Sequence, residues 1–237
     1  MFDLSNARVA KILKAKVIIV SQGGIGKPID EVALNQALFE KEGVEIIGVI
    51  LNKVITKKVD YVTDFARRGL KRRGLELLGV LPYQPMLSSP NMDSIEEELD
   101  AEVLNPTRRT NNLVNDVVIG AMGAQNVTSY FKPGVLLITP GDREDILMAA
   151  SVATQSGKDG TLAGIVLTDR LRPSAAALKI VRDLPYPVLL TDLDNYKVAS
   201  IVHDLIVKTR PDDLEKINVI RDLIAEHVDV AKILDCL

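Results

Sequence analysis

A glycine-rich segment, SQGGIGKPID, is the part of this sequence most similar to a phosphate-binding loop. In a Walker A loop, G-x-x-x-x-G-K-[ST], backbone N–H groups and the lysine hold the phosphates, and the final hydroxyl binds magnesium. That spacing would put the first glycine at Ser21 and the hydroxyl at Pro28. Proline has no hydroxyl and suits the first turn of a helix. Gly23, Gly24 and Gly26 therefore predict a tight strand-to-helix turn, and we expect no tight binding of Mg-ATP.

Residue types that commonly perform catalysis or bind metals are sparse. No G-x-S-x-G nucleophile elbow occurs in the sequence. The two histidines, His203 and His227, are far apart on amphipathic segments, so they do not indicate a metal site. Cys236 is the single cysteine, which excludes an intrachain disulfide and a cysteine-rich metal cluster. We therefore predict no catalytic residues and no metal ligands, and we expect that the chain is not an enzyme by itself.

Charge and hydropathy argue against several classes of partner. The 237 residues are 47% hydrophobic and carry a formal net charge of −3, which gives no general attraction to nucleic acid or to an anionic membrane. The basic run over residues 53–73 has apolar residues at helical spacing, so its cations are expected on a solvated helix face. No stretch approaches the roughly 18 apolar residues of a membrane span, and no secretory signal pattern opens the sequence. We expect a cytoplasmic protein without nucleic-acid or membrane partners.

The arrangement of apolar runs predicts the elements that position any site. Short runs rich in Val and Ile alternate with amphipathic stretches of a dozen residues or more. This alternation is typical of βαβ units around a buried parallel sheet, so the predicted fold class is α/β. After Pro82 the sequence becomes rich in proline, serine and asparagine, and then acidic, which predicts a domain boundary. We predict a first domain over residues 1–90, an acidic linker over 91–102, and a second α/β domain over 103–237.

Apolar periodicity also predicts the individual elements. In the first domain we expect helices over 6–13, 29–42 and 57–73 and strands over 17–21, 45–52 and 75–81. In the second we expect strands over 116–121, 135–139, 163–168 and 188–191 and helices over 125–130, 144–155, 174–183 and 196–207. A closing helix over 212–234 carries an apolar stripe that would pack in the core or dock on a partner.

Two stretches of the first domain resemble a known family. They are FDLSNARVAKILKAKVIIVSQGGIGKPIDEVALNQALFEKEGVEIIGVILNKV and RGLELLGVLPYQPML. They are similar to the C-terminal part of the dethiobiotin synthetase-like P-loop domain, a relative of cobyrinic acid a,c-diamide synthases, and to the N-terminal region of long phosphate acetyltransferases. The resemblance implies a truncated P-loop-NTPase-like sheet whose phosphate loop would precede Met1.

The same resemblance implies a role for one edge of the first domain. In ATP-using relatives the Asn after the G-V-I-x strand contacts the purine, and this position is Asn52. The turn at Pro82 and Tyr83 would complete that side of a base pocket. The alternative for Asn52 is a strand-end residue that caps its own turn.

The second half of the chain resembles the DRTGG domain. The matching stretches are VNDVVIGAMGAQNVTSYF, GVLLITPGDREDILMAA, LAGIVLTDRLRPSAAAL and YPVLLTDLDNYKVAS. This domain accompanies the synthetase-like region in phosphate acetyltransferases and CBS domains elsewhere, and it is taken to be regulatory or ligand-sensing. The literal string DRTGG is absent, and GDRED and TDRLR are its nearest equivalents.

The ends of two predicted strands in the second domain form a candidate anion site. Strand carboxyl ends and the following helix N-termini meet at one edge of a parallel sheet, where free N–H groups attract anions and arginines add donors. The alternative is local, with Asp142 capping the next helix and Asp145 completing a capping box. The predicted site residues are Thr139, Gly141, Asp142, Arg143, Thr168 and Arg172.

These observations predict a regulatory or ligand-sensing pair of domains whose ligand is a nucleotide or a small anionic metabolite. The alternative is an ATP-dependent ligase-type enzyme whose P-loop part is missing from this chain or supplied by another. The DNA just upstream of Met1 would distinguish the two. A three-stranded sheet leaves an edge to cover, so we expect a homo-oligomer, with a metabolic enzyme or a P-loop-bearing protein as further candidate partners.

Overall fold

The computed structural model describes residues 4–106, 111–156, 162–211 and 213–236. The chain divides into two compact units: unit 1 contains Met1–Gln84 and Thr209–Leu237, and unit 2 contains Pro85–Lys208. Each unit has a parallel or mainly parallel sheet with helices, so the predicted α/β class is confirmed. None of the helices within the described ranges is long and apolar enough to cross a membrane.

The N-terminal part of unit 1 forms a three-stranded parallel sheet with three helices. Its elements are α1 (Asn6–Leu13), β1 (Val17–Gln22), α2 (Lys27–Glu42), β2 (Ile46–Val54), α3 (Val59–Lys71) and β3 (Leu77–Pro82). The strands lie in the order β1-β2-β3. Ser5 caps α1 by accepting a hydrogen bond from the N–H of Arg8 at 3.2 Å, and α2 ends at Gly43 with φ 71°.

The three helices cover one face of this sheet. Alternate strand residues point to opposite faces, and Val49 and Leu51 of β2 are fully buried on the side that carries the helices. Val32 of α2 and Leu70 of α3 pack into the same cluster. The order of strand and helix along the chain therefore brings the carboxyl ends of all three strands to one edge.

Unit 2 forms a five-stranded sheet with helices on both faces. The strand order is β4-β8-β7-β6-β5, in which β4 is antiparallel and the other strands are parallel. Its elements are α4 (Pro85–Ser88), α5 (Met92–Leu99), β4 (Glu102–Val103), β5 (Asp116–Ile119), α6 (Ala124–Val127), β6 (Val135–Pro140), α7 (Glu144–Gln155), β7 (Gly164–Thr168), α8 (Ala175–Asp183), β8 (Val188–Leu190) and α9 (Asn195–Asp204).

The central strands of unit 2 are buried on both faces, which explains their nearly continuous apolar sequence. In β6, Leu137 faces the core under α6, α7 and α8, whereas Leu136 and Ile138 face the core under α5 and α9. All three side chains are fully buried. The predicted bounds 6–13 and 144–155 agree with α1 and α7.

The segment over residues 91–102 is not the linker that its composition predicts. Met92, Ile95 and Leu99 are buried on one side of α5, where they pack under the sheet of unit 2. The Asn91 side chain caps this helix by accepting from the N–H of Ser94 at 2.9 Å. The acidic residues between them occupy the other helix face, because apolar residues three and four positions apart share one face.

Asn105 connects the chain after β4 to the start of β8. Its side chain is buried, with 2% of its surface exposed, and it bonds to three backbone groups. The amide nitrogen donates to the carbonyls of Val181 at 3.2 Å and Tyr186 at 2.9 Å, and the amide oxygen accepts from the N–H of Val188 at 2.8 Å. These bonds join the end of α8 and the start of β8 to the chain that follows β4.

The C-terminal segment returns to unit 1. The sequence predicts instead that this segment extends the second domain to residue 237, and that prediction is wrong. It forms two helices, α10 (Leu214–His227) and α11 (Val230–Asp235), where the apolar stripe predicts one helix over 212–234. Two residues of that stripe, Leu214 and Ile224, are exposed. Local periodicity predicts one continuous helix here, but the residues between α10 and α11 pair with β3 and so interrupt the helix.

The residues between these two helices cover the outer edge of β3. Val228 is extended, with φ −121° and ψ 131°, and forms an antiparallel bridge to Gly79. The N–H of Asp229 donates to the carbonyl of Leu78 at 2.8 Å. A Cβ at Gly79 would lie 2.6 Å from the carbonyl oxygen of His227, so glycine is needed for this approach. This edge of the sheet is therefore protected within the chain.

Candidate functional site

The glycine-rich turn of unit 1 lies beside the end of β2. The N–H of Gly23 donates to the carbonyl of Asn52 at 2.6 Å, and a Cβ at Gly23 would lie 2.4 Å from the Val54 side chain. Gly24 has φ 151°, and Pro28 occupies the first turn of α2. The predicted tight strand-to-helix turn is confirmed, and close backbone approach explains its first glycine.

Asn52 and Pro82 lie at this same edge of unit 1. The Asn52 side-chain oxygen accepts a hydrogen bond from the N–H of Lys53 at 2.8 Å, and Lys53 has the left-handed φ of 58°. Pro82 pairs with Val54, whose carbonyl accepts from the N–H of Tyr83 at 2.7 Å. Asn52 thus stabilises its own turn, as the local alternative predicts. Contact of Asn52 and Pro82 with a purine stays a prediction.

In unit 2, a row of buried threonines marks the carboxyl ends of three adjacent strands. The Thr139 hydroxyl donates to the carbonyl of Gly120 at 3.3 Å, and the Thr168 hydroxyl donates to the side chain of Asn195 at 2.8 Å. Thr191, just after β8, bonds to the carbonyl of Leu99 at 3.4 Å. These hydroxyls have hydrogen-bond partners within the protein, so they help to position the loops above them.

Arg143 holds the loop after β5 against the start of α7. Its guanidinium donates to both carboxylate oxygens of Asp145, at 2.8 and 2.9 Å, and to the carbonyls of Met122 at 2.9 Å and Gly120 at 3.4 Å. Hydrogen bonds from Arg143 lower the pKa of Asp145 below its usual range. The helix begins after Arg143 without a side-chain cap in the described structure, so the predicted capping by Asp142 is wrong.

The structure does not bring Arg143 and Arg172 to a common group. Arg172 forms an ion pair with Glu102 of β4, whereas the carbonyl partners of Arg143 follow β5. Since β4 and β5 are the two outer strands of the sheet, the arginines reach in opposite directions. Gly141 and Thr168 lie between them at the ends of β6 and β7. The predicted two-arginine anion site is therefore not assembled on one partner.

A cavity of about 390 Å³ lies on the Arg172 side, at the carboxyl ends of β7 and β8 and beside β4. Two ion pairs form part of its lining, Arg172 with Glu102 and Arg170 with Asp192, the latter at 3.1 Å. All four side chains remain at least half exposed, so both pairs can exchange partners. The lining residues are Asp100, Glu102, Arg170, Arg172, Leu190, Thr191 and Asp192.

An unusual turn after β7 orients Arg170 and Arg172. Asp169 and Arg170 have φ of 61° and 54°, a conformation that residues other than glycine rarely adopt. Two hydrogen bonds hold it: the N–H groups of Asp169 and Arg170 donate to the carbonyls of Leu193 and Thr191, each at 2.9 Å. Consecutive left-handed residues cost energy and persist where surrounding contacts fix them, often at binding sites.

The loop after β6 supports the same turn from the other side. A Cβ at Gly141 would lie 1.6 Å from the carbonyl oxygen of Leu171, so the two backbones are in direct contact. The role of Gly141 is therefore close packing, which positions Arg172 one residue later. Both loops therefore help to position the residues that line the cavity.

The chemistry available in this cavity is recognition of polar groups. No set of three or more His, Cys, Asp or Glu side chains in the described ranges is placed to hold a metal ion. Guanidinium groups bind carboxylate and phosphate, and the carboxylates accept hydrogen bonds from cations and hydroxyls. The sequence predicts Arg172 as a site residue but misses four other charged lining residues, although the string TDRLR, which includes Arg172, also contains one of them. They are Asp100, Glu102, Arg170 and Asp192.

Comparison with protein families identifies both halves of the chain. Residues 94–205 match the DRTGG domain, and residues 2–91 match an AAA domain. The second half is thus similar to DRTGG domains and the first half to AAA domains, which confirms the resemblances noted in the sequence.

Curated relatives that match both halves are phosphate acetyltransferases. That of Pseudomonas putida is 33% identical over 95% of this chain and 34% of its own length. That of Pseudomonas aeruginosa is 32% identical over 94% of this chain and 34% of its own length. That of Nitrosomonas europaea is 29% identical over 94% of this chain and 33% of its own length. The chain thus spans about a third of the length of the curated relatives it matches.

One solved structure shares a limited likeness. It contains the CBS and DRTGG domains of the regulatory region of Clostridium perfringens pyrophosphatase, complexed with its activator, diadenosine tetraphosphate. The two chains are 16% identical with a TM-score of 0.41, and the match covers 74% of this chain and 86% of that one.

Proposed function

We propose that this chain is a ligand-sensing regulatory module without catalytic activity of its own, resembling the N-terminal region of phosphate acetyltransferases. The observation that carries the proposal is the extent of the match. The relatives align over 94% or 95% of this chain but over only about a third of themselves, so both halves recur together as one portion of a larger enzyme. A portion that resembles a DRTGG domain and a P-loop-like region is suited to binding a ligand and to transmitting the effect of binding to the rest of the enzyme.

We propose the cavity of unit 2 as the ligand site. Its volume, about 390 Å³, is within the range of small-molecule sites, and it lies at the strand carboxyl ends where open α/β sheets bind ligands. Arg170 and Arg172 would bind a carboxylate or phosphate group in place of their present carboxylate partners. A small metabolite that carries such a group is therefore the proposed ligand class.

A binding assay on the full chain tests this proposal. Thermal unfolding would be followed with inorganic phosphate, malate, ATP and a wider metabolite collection that includes amino acids. We expect at least one compound to raise the melting temperature of the wild type, and Arg172→Gln to abolish that rise. Lys179→Gln removes one exposed charge from α8 of the same unit and should leave the response unchanged. A collection in which no compound stabilises the protein would refute ligand sensing.

The proposed lack of catalysis has its own test. The chain should form no acetyl phosphate from acetyl-CoA and phosphate, and it should not hydrolyse Mg-ATP. The alternative is an ATP-using enzyme completed by a P-loop-bearing partner, which the AAA-domain match over 2–91 favours. Calorimetry with Mg-ATP tests whether this chain carries a phosphate site itself: micromolar affinity that Lys27→Ala abolishes would show that GGIGKP is a functional phosphate loop.

We also propose that the chain forms a homo-oligomer through the β1 side of unit 1. The outer edge of β1 pairs with no strand in the described part of the chain, whereas Val228 covers the opposite edge. Val20 of β1 is 60% exposed and points to the sheet face opposite the buried Ile19, which places an apolar side chain beside that edge. Light scattering should give a dimer or larger assembly that Val20→Lys weakens. A monomer at all concentrations would contradict it.

A further inference from the structure

The charges around the cavity of unit 2 restrict the ligand more narrowly than the two arginines alone. Three carboxylates and two guanidinium groups line it: Asp100, Glu102 and Asp192 against Arg170 and Arg172. Each arginine already has a carboxylate partner. A ligand group that binds an arginine must therefore displace a carboxylate, and the displaced carboxylate needs a new partner.

A ligand with one kind of charge does not satisfy this requirement. A simple anion that took both arginines would leave Glu102 and Asp192 unpaired beside Asp100 and beside the new negative charge. A simple cation that took the carboxylates would leave Arg170 and Arg172 facing a positive charge. In either case the binding gain is offset by repulsion between like charges at short range.

A ligand that carries both charges can replace the existing pairs and supply a new partner for the carboxylates that it displaces. Its carboxylate would accept from the guanidinium groups, and its ammonium would donate to the carboxylates that they release. We propose that the cavity binds a free α-amino acid, whose carboxylate and ammonium are attached to one carbon. This inference rests on the proposed function and specifies its ligand.

The geometry also indicates how such binding would be reported. Glu102 lies on β4, a two-residue outer strand in which Glu102 pairs with Leu190 and Val103 pairs with Leu189. The ion pair to Arg172 adds a side-chain connection to this short strand. An amino acid that replaces the pair would loosen or re-anchor β4, and α5 leads directly into it. The conformation of β4 at the edge of the sheet would thus change when the cavity is occupied.

Calorimetry on the full chain with the twenty proteinogenic α-amino acids tests the inference. At least one should bind, and its N-acetyl derivative and its decarboxylated amine should each bind at least about tenfold more weakly, because each lacks one charge. Arg172→Gln and Glu102→Gln should each weaken binding by a similar factor, whereas Lys179→Gln should not.

The results that would overturn the inference differ from those that would overturn ligand sensing. Absence of binding by all twenty amino acids would refute it, as would equal affinity for the N-acetyl derivative or unchanged affinity in both cavity variants. If malate or inorganic phosphate binds in an Arg172-dependent manner and no amino acid does, the cavity is an anion site, and only the proposed function survives.

Discussion

Replacing Gly141 with alanine should destabilise unit 2 and disturb the turn that carries Arg170 and Arg172. The added Cβ would lie 1.6 Å from the carbonyl oxygen of Leu171 and 2.7 Å from its carbonyl carbon. Real Cβ contacts are essentially never below 3.0 Å, so the two backbones would have to separate by more than an ångström. Because no side-chain rotation relieves the overlap, we expect a loss of about 3 kcal/mol, near the upper end of the usual cost of overpacking.

The assay is chemical and thermal unfolding of the variant beside Gly123→Ala. A Cβ at Gly123 meets no atom within 4 Å, and loss of this helix-capping glycine should cost less than about 1 kcal/mol. A loss of about 3 kcal/mol corresponds to a fall in melting temperature of about 6–12 °C for a domain of this size class. Equal stability of the two variants would show that the Gly141–Leu171 contact does not exist in solution, and the reasoning would be refuted.

Asn105→Ala should lower the free energy of unfolding by about 2 kcal/mol or more in urea titration, because the Tyr186 carbonyl and the Val188 N–H lose the hydrogen bonds that Asn105 supplies; a loss below about 1 kcal/mol would contradict this. Burial raises the pKa of Tyr186 to about 12, so stability present below pH 10 should be lost between pH 10 and 12, by at most about 3 kcal/mol. Tyr186→Phe should remove that part of the alkaline loss, and an identical pH dependence in both proteins would exclude it. A fragment of residues 85–208 should unfold cooperatively by circular dichroism, whereas one of residues 1–84 should not, because it lacks the segment that covers β3.

The sequence predicts elements well where the determinants are local. Helix α1 follows from Ser5 and apolar spacing, and β6 follows from a run of apolar residues that only a strand buried on both faces would carry. The structure of the acidic stretch over 91–102 is harder to predict, because the proline and asparagine residues around it indicate a loop. The feature of the sequence that indicates α5 is the helical spacing of its apolar residues.

The sequence cannot show contacts between distant segments. The apolar stripe over 212–234 predicts burial but not where, and pairing of Val228 with Gly79 joins positions about 150 residues apart. The candidate site shows the same limit. Strand ends predict Arg143 and Arg172 at one edge of the sheet, yet the direction of each side chain depends on partners contributed by β4 and the loop after β5. Neither partner is adjacent in sequence.

The return of the C-terminal segment makes unit 2 an insertion within unit 1, and this couples their stabilities without requiring any contact between them. The chain leaves unit 1 after Gln84 and re-enters it at Thr209. When the insertion is folded, the separation of its two ends is fixed. When it unfolds, unit 1 must close a flexible loop over residues 85–208, and such a loop costs about 4 kcal/mol of chain entropy. A ligand that holds unit 2 folded would therefore also keep the C-terminal helices docked on the first sheet.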